Sequence, residues 1–155
     1  MGNLRMTPIK KPKLDDRYAC FKLEIRKSKI HRYGVYALER IPRNRKVIEY
    51  TGEKISNPEA DRRHEGGVYT YLFELGKRHT IDGAVGGSGA EIINHSCEPN
   101  LISRVMKGHI LYMSLRPIKR GEELTVDYNF EDSGDKTRCR CGSKKCRGML
   151  ERQSS

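Results

Sequence analysis

Three cysteines lie within eight residues near the C-terminal end of the chain, in the stretch CRCGSKKC. Cys139, Cys141 and Cys146 follow the spacing C-x-C-x4-C. In a reducing compartment, such close spacing indicates a metal site rather than disulfide bonds. Tetrahedral zinc takes four ligands, so this loop can supply three and another segment must supply the fourth. The C-terminal tail is therefore expected to be fastened to a distant part of the fold.

Three side chains are candidates for the fourth ligand: Cys97, Cys20 and His95. Cys97 and His95 lie in the stretch INHSCEPN, which carries more polar groups than a plain turn needs. Cys20 begins a strand-like run among apolar neighbours, so it is expected to be a small core residue. These surroundings favour Cys97 and leave the other two open. The alternative to a metal site is a set of unliganded thiols in a basic tail.

The body of the chain, from about residue 21 to 130, is predicted to be mainly β, because short runs of alternating apolar and polar residues are separated by turn residues. Two hairpins are expected, with turns at Gly76–Lys77 and Lys107–Gly108. Residues 56–65 carry the one clear helical signal, with Asn57 as the expected cap. The glycine-rich stretch 83–90 is expected to be a flexible connection. The sequence therefore predicts several small sheets and little helix.

The chain is strongly basic, with a formal net charge of +11. Such a field favours acidic partners, nucleic acid among them, although a solvated basic surface is the simpler interpretation. Positive charge concentrates in residues 5–13 and 136–147, so contact with nucleic acid through the two ends is a candidate function. Residues 1–17 are expected to form a flexible basic arm. Neither a membrane-spanning run nor a signal peptide is evident, which indicates a soluble, intracellular protein without membrane contact.

Several stretches, in this order along the chain, resemble the SET domain of protein lysine methyltransferases followed by its post-SET zinc segment: SKIHRYGVYA, IEYTGEKI, INHSCEPN, GEELTVDYNF and CRCGSKKCRGML. The resemblance implies a SET domain over residues 18–131 and a post-SET segment over residues 132–155. It implies a mainly β fold in which the C-terminal motif passes through a loop as a pseudoknot, placing INHSC beside VDY. It also implies that Cys97 is the fourth zinc ligand.

The resemblance further implies transfer of a methyl group from S-adenosylmethionine to the ε-amine of a lysine in a protein, usually a histone tail. Tyr128 is then the expected catalytic residue at the end of the lysine channel, and Tyr50 an aromatic wall of that channel. The expected residues that bind the cofactor are His31, Arg32, Tyr33, Tyr71, Asn94, His95 and Leu150. The implied zinc ligands are Cys97, Cys139, Cys141 and Cys146.

Three positions depart from the family pattern. Arg32 stands where a glycine is frequent, so a backbone of positive φ there would be strained. Glu91 stands where a basic residue is frequent, and its charge is expected to repel a cofactor carboxylate. Val126 occupies a position often held by Tyr or Phe, and its smaller side chain favours room for more than one methyl group.

Two other functions remain open at this stage. A SET relative without turnover would bind a basic peptide or the cofactor alone, which fits a pocket spoiled by Arg32 and Glu91. A zinc-stabilised nucleic-acid binder would use the basic ends and would bind with strong salt dependence. Methyl transfer to histones predicts the nucleus and chromatin in a eukaryote, and the cytoplasm or export to a host in a bacterium. The oligomeric state does not follow from the sequence.

Overall fold

A computed structural model describes residues 12–66, 71–131 and 136–153. The prediction of a mainly β fold is confirmed, because these ranges contain ten short strands and a single α-helix. That helix, α1, has ten residues, and no helix in the described ranges is long and apolar enough to cross a bilayer. The elements are β1 (Leu23–Lys27), β2 (Tyr33–Ala37), β3 (Lys46–Tyr50), β4 (Glu53–Ser56), α1 (Asn57–Gly66), β5 (Leu72–Glu74), β6 (His79–Asp82), β7 (Asn94–His95), β8 (Leu101–Met106), β9 (His109–Ser114) and β10 (Thr125–Val126).

The strands form three small sheets. β1 pairs with β2, the order β4-β6-β5 makes a second sheet, and the order β3-β9-β8-β10-β7 makes the largest one. Alternate side chains of these strands meet in one core, and each large aliphatic side chain buried there contributes about 1.5–3 kcal/mol. The most deeply buried large aliphatic members are Val35, Ile41, Val47, Ile48, Ile93, Leu101, Ile110, Ile118 and Leu124.

Both predicted hairpins are confirmed. β5 and β6 pair antiparallel on either side of Gly76–Lys77, and β8 and β9 on either side of Lys107–Gly108. Lys107 and Gly108 have φ values of 49° and 80°, as a type I′ turn requires. The local turn signals therefore predicted these two connections correctly.

The strand β10 lies between β7 and β8, although these two strands follow one another in the chain. It runs parallel to both, with Thr125 opposite Asn94 and Val126 opposite His95. The later segment therefore enters between two strands joined by residues 96–100, which is the threading that the expected pseudoknot requires. The predicted meeting of INHSC with VDY is confirmed by this register.

The predicted cap of α1 is wrong. Asn57 is the first helical residue, and Ser56 Oγ accepts a hydrogen bond from Glu59 N–H at 3.3 Å. The Asn57 amide is used elsewhere, since it donates to Gly76 O at 3.0 Å and accepts from Thr80 Oγ1 at 2.8 Å. Ser56 and Asn57 both have side chains that can cap a helix. Ser56 takes this role because the Asn57 side chain is bound to Gly76 and Thr80.

The N-terminal side of the fold differs from expectation in two places. Residues 1–11 of the predicted arm lie outside the described residues, but Leu14 packs against the core and Asp15 N–H donates to Ser88 O at 2.8 Å. The arm is therefore docked at its C-terminal end. Cys20, expected in the core, is exposed because β1 begins only at Leu23.

Candidate active site and metal centre

The sulfur atoms of four cysteines lie together at the C-terminal end of the fold. They are all within 4.8 Å of one another, and Cys97 Sγ is 3.7 Å from Cys139 Sγ and 4.0 Å from Cys146 Sγ. Zn–S bonds of about 2.3 Å in a tetrahedron separate the sulfurs by about 3.8 Å, so the group fits a single zinc ion. Of the three candidates for the fourth position, the structure brings Cys97 to the tail. The group consists of Cys97, Cys139, Cys141 and Cys146.

Backbone N–H groups point at these thiols. Arg147 N–H donates to Cys97 Sγ and Gly148 N–H to Cys146 Sγ, each at 3.4 Å. Burial opposes the ionisation of Cys141, but backbone N–H donors outweigh it and lower the pKa of this thiol to about 6. Burial instead raises the pKa of Cys97, and it raises that of Cys139 to about 12. Cys141 is therefore the thiol that most readily provides the thiolate, which is the form that binds a metal.

His95 connects the cysteine group to the predicted catalytic tyrosine. Its Nδ1 accepts a hydrogen bond from Tyr128 N–H at 3.1 Å, and its Nε2 lies 3.5 Å from Cys97 Sγ. Burial lowers the pKa of His95, so the ring is neutral at pH 7. Because Nδ1 accepts the Tyr128 amide hydrogen, its lone pair is already used and is not free to take a proton.

Tyr128 lies two residues after the end of β10, with its ring against His95 and Phe130 at centroid separations of 5.3 Å. Its hydroxyl donates to Ile93 O at 2.9 Å. Burial, followed by the neighbouring Tyr71, raises the pKa of Tyr128, so the phenol stays protonated at neutral pH. A neutral phenol fixed in this way can orient an amine by hydrogen bonding and is not itself a strong base.

An aromatic cluster adjoins this tyrosine. The rings of Tyr50, Phe73 and Tyr112 lie 5.4 to 6.5 Å apart between centroids, and Tyr50 OH donates to Tyr71 O. Tyr50 and Tyr71 were expected at the site, whereas Phe73 and Tyr112 were missed. The period-two alternation of β9 could have indicated that Tyr112 faces the same side as its buried neighbour Ile110.

Asn94 holds the segment predicted to cradle the cofactor. Its Nδ2 lies 3.2 Å from His31 O, 2.9 Å from Tyr33 O and 2.9 Å from a carboxylate oxygen of Glu123. The amide therefore fixes the backbone on both sides of Arg32. An acceptor-lined turn tied to Asn94 fits the amino-acid portion of S-adenosylmethionine, whose amine donates hydrogen bonds.

Glu123 is a positioning residue that the sequence reasoning missed. Its carboxylate accepts hydrogen bonds from Ser28 Oγ at 2.7 Å and from Tyr36 OH at 3.1 Å, as well as from Asn94. A Cβ on Gly34 would lie 2.2 Å from the same carboxylate, so only glycine admits it there. Gly34, the glycine that remains from the family pattern, therefore leaves the space that the Glu123 carboxylate occupies.

The tail reaches the cofactor segment as well. Burial lowers the pKa of His31, and the positive charges of Arg32 and of Arg140 in the tail lower it further. Two guanidinium groups near an exposed turn suit a carboxylate ligand.

The side chain of Arg147 forms a second connection between the tail and the domain, beside the one made by the cysteine group. Its guanidinium binds both carboxylate oxygens of Asp127, at 2.9 and 3.1 Å, and donates to Met149 O and Leu150 O. These bonds outweigh the effect of burial and lower the pKa of Asp127 to about 2. Leu150, which is half-buried and predicted to cover the cofactor, is therefore held through its carbonyl by Arg147. Arg147 is in turn bound to Asp127, the residue before Tyr128.

Arg147→Ala is expected to weaken tail docking by about 2 kcal/mol, because charge-assisted hydrogen bonds are lost and Asp127 keeps only the exposed Arg152 as an ion-pair partner. Faster amide hydrogen exchange at residues 147–152 would report it. Arg147→Lys keeps the positive charge but cannot bind both carboxylate oxygens of Asp127 in the same way. Its exchange rate should therefore lie between those of the wild-type protein and Arg147→Ala. Lys145→Ala is the control, since Lys145 Nζ is 3.9 Å from Glu98 and 79% exposed, and it should change stability by less than about 0.5 kcal/mol. Equal exchange at residues 147–152 in both alanine variants would contradict a docking role for the Arg147–Asp127 bonds.

The expected strain at Arg32 is present. Its φ is 40°, in the left-handed region where a glycine is favoured. The Asn94 amide fixes the carbonyls on either side, so the backbone cannot relax.

Arg32→Gly is accordingly expected to stabilise the protein by about 1 kcal/mol by relieving the left-handed backbone. A denaturant titration of both proteins measures the difference. Asn44 has a φ of 59° and is the matched control, because asparagine tolerates this region and Asn44→Gly should gain only a few tenths of a kcal/mol. A loss of stability in Arg32→Gly would show that the side chain contributes more than the strain costs.

Glu91 faces the glycine-rich stretch and the aromatic cluster. Its carboxylate accepts from Gly89 N–H at 2.9 Å, and a Cβ on Gly83 would lie 2.9 Å from Glu91 Cβ and 2.7 Å from Tyr50 OH. Burial raises the pKa of Glu91. The expected repulsion of a cofactor carboxylate stays a prediction, while the observed place of this acid is beside the predicted channel wall.

The glycine-rich stretch itself is more firmly packed than expected. Ser88 is fully buried and its Oγ donates to Glu49 O at 2.5 Å, while Gly86 O accepts from Thr51 Oγ1 at 3.0 Å. Residues 88–90 are buried, whereas residues 84–86 are exposed. The flexible connection stays a prediction for the exposed part of the stretch.

Comparison with known proteins places the chain in a family. A family model described as SET domain matches residues 32–129. The H3 lysine-4 specific histone-lysine N-methyltransferase of Aspergillus oryzae is 40% identical over 95% of this chain and 12% of its own length. The protein of that name from Schizosaccharomyces pombe is 42% identical over 79% of this chain and 14% of its own length. Histone-lysine N-methyltransferase 2B of Homo sapiens is 41% identical, over 80% and 5% respectively.

The chain belongs to the SET-domain family. The matched range contains β2 to β10 and ends directly after Tyr128, so it includes the strand insertion and most of the predicted site. The chain spans no more than 14% of the length of these three relatives, so their names describe much larger proteins.

Proposed function

We propose that this chain transfers a methyl group from S-adenosylmethionine to the ε-amine of a lysine in a histone or histone-like protein. The observation that carries the proposal is the meeting of Tyr128, Asn94 and the cysteine-held tail at the β7–β10 pair. Membership of the SET family supports it, and the three relatives above are named as histone-lysine N-methyltransferases.

Two bound groups belong to this proposal. Zinc would be held by the four cysteines, whose sulfur separations suit a tetrahedral thiolate site. S-adenosylmethionine supplies the reactive methyl carbon on a sulfonium. Its amino-acid end fits the turn fixed by Asn94, with the guanidinium groups of Arg32 and Arg140 near. The proposed cofactor-binding residues are His31, Arg32, Tyr33, Tyr71, Asn94, His95 and Leu150.

The residues of the channel have to present a neutral amine in line with the methyl group. Free lysine has a pKa of about 10.4, and an apolar wall beside a positive sulfonium lowers it by desolvation and like charge. Tyr50, Phe73 and Tyr112 provide such a wall. Tyr128, neutral and held by Ile93 O, then orients the amine lone pair and stabilises the developing charge. His95 is not required as a base.

The substrate side of the channel carries an acid and a small residue. Glu91 lies beside Tyr50, and its carboxylate supports recognition of a cationic side chain to the extent that it stays ionised, which burial opposes. Val126 is buried at the β10 position beside His95, and its size favours more than one methyl group. A histone substrate places the proposed activity at chromatin.

The direct test incubates purified, zinc-loaded protein with S-adenosylmethionine and recombinant histones, followed by mass spectrometry of their lysines. Increments of one or more methyl units on lysine are expected. Cofactor binding by calorimetry, measured in parallel, separates the outcomes. Binding without any methyl increment would identify a non-catalytic SET relative, and absence of both would overturn the proposed site.

A further inference from the structure

Two surface segments remain that the methyl-transfer site does not use. Residues 38–46 and 115–122, here called the basic strip, contain seven cations and two acids, which is a net charge of +5 from seventeen residues. The whole chain has a net charge of +11. Almost half of that charge therefore lies in two short segments that are far apart in sequence, and neither is one of the basic ends.

The two segments run antiparallel and side by side. Ile41 N–H donates to Ile118 O at 2.9 Å and Ile118 N–H to Ile41 O at 2.8 Å, and both side chains are fully buried. Ser114 N–H donates to Arg45 O at 2.9 Å, which continues the pairing. The apolar side chains anchor the strip and the cations remain outside. The exposed cations are Arg40, Arg43, Arg45, Arg116, Lys119 and Arg120.

This arrangement opposes stability. The register of the Ile41–Ile118 bridge sets Arg40 opposite Lys119, and like charges facing each other across a pair are destabilising. Within the described residues, one ion pair neutralises the strip, between Arg116 and Glu122 at 2.9 Å. Repulsion of this kind is expected where a surface has a negatively charged partner.

We infer that the basic strip is a binding surface for the phosphate backbone of duplex nucleic acid. Five of its seven cations are arginines, whose planar guanidinium groups bind phosphate oxygens in pairs. The strip contains no aromatic residue, and single-stranded nucleic acid is bound largely by stacking its bases on aromatic side chains. A paired, regular line of phosphates is the partner that this composition fits.

The inference is independent of methyl transfer, because none of the strip residues belongs to the proposed active site. Binding can be measured without cofactor or histone. If nucleic acid does not bind, the proposed enzymatic function is unaffected. If the protein transfers no methyl group, the proposed binding of nucleic acid by the basic strip is unaffected.

Fluorescence anisotropy with a labelled duplex of about 20 base pairs, over 50 to 200 mM salt, is the test. The triple variant Arg40→Gln, Arg43→Gln, Arg120→Gln is expected to lower the slope of log K against log salt by about 2 to 3 and to weaken binding at low salt about tenfold or more. The control removes three exposed charges from separate elements: Lys27→Gln, Lys54→Gln, Lys107→Gln. This control variant should retain most of the slope of log K against log salt.

Hydrogen exchange of the unmodified protein, with and without duplex, gives a readout that needs no variant. Protection is expected in residues 40–45 and 116–120. Protection confined to residues 1–13 or 136–147, equal losses in the two triple variants, or equally tight binding of a single strand or of polyglutamate would each overturn the assignment.

Discussion

Replacing Tyr128 with phenylalanine is expected to lower kcat for methyl transfer about 100- to 1000-fold, the usual effect of removing one well-placed hydrogen-bonding group from a reacting centre. The hydroxyl is held by Ile93 O at 2.9 Å, so it is positioned before the substrate arrives. Its loss leaves the packing of the ring against His95 intact. Cofactor affinity should therefore change little, and the defect should appear in kcat rather than in KM.

The matched control is Tyr18→Phe, which removes the same hydroxyl from a short 3₁₀ turn near the N-terminus. It should leave kcat unchanged. The Tyr128 variant also loses one hydrogen bond, at a stability cost of about 1 kcal/mol, so both proteins are compared well below their unfolding temperatures. If the Tyr128 variant kept more than about a tenth of the wild-type rate, the tyrosine would be a packing residue and another hydrogen-bonding group would have to orient the amine.

The parts of the fold that the sequence predicted are those decided by neighbouring residues. The hairpin turns at Gly76–Lys77 and Lys107–Gly108 follow from local turn chemistry. The insertion of β10 between β7 and β8 does not, because Val126 and His95 are distant in sequence and nothing in either strand specifies the other. Only the resemblance to a family anticipated it, since such threading is rare among folds.

The site divides along the same line. The cysteine spacing predicted a metal-binding loop, and the polar surroundings of Cys97 favoured it as the fourth member. The contacts of Glu123 and Arg147 were not predicted. The residues next to them in the sequence do not show that either charged side chain is partly buried against a distant segment. Their roles follow from tertiary register alone: each binds the backbone or side chain of a segment that arrives from elsewhere.

Removal of zinc is expected to detach the tail while the body stays folded. The aliphatic core lies in the sheets and includes no member of the cysteine group except Cys139 at its margin, whereas the tail has few apolar contacts of its own. In such a segment, the free energy of metal binding supplies the free energy of folding. Chelation should therefore raise hydrogen exchange at residues 137–152 and weaken binding of S-adenosylmethionine about tenfold or more, because Leu150 and Arg140 are no longer held.

Cys97→Ser tests the same connection from the other side. Wild-type protein is expected to carry about one zinc ion per chain, and the variant should lose most of it, since three thiolates on one loop bind more weakly than four. Cys20→Ser is the matched control, because Cys20 is exposed and lies outside the group. A residual contact through Arg147 and Asp127 should keep the detached tail partly docked, so Cys97→Ser combined with Arg147→Ala should exceed either change alone. Unchanged zinc content in Cys97→Ser, or a loss in Cys20→Ser, would assign the fourth ligand elsewhere and remove the link that runs from the metal through His95 to Tyr128.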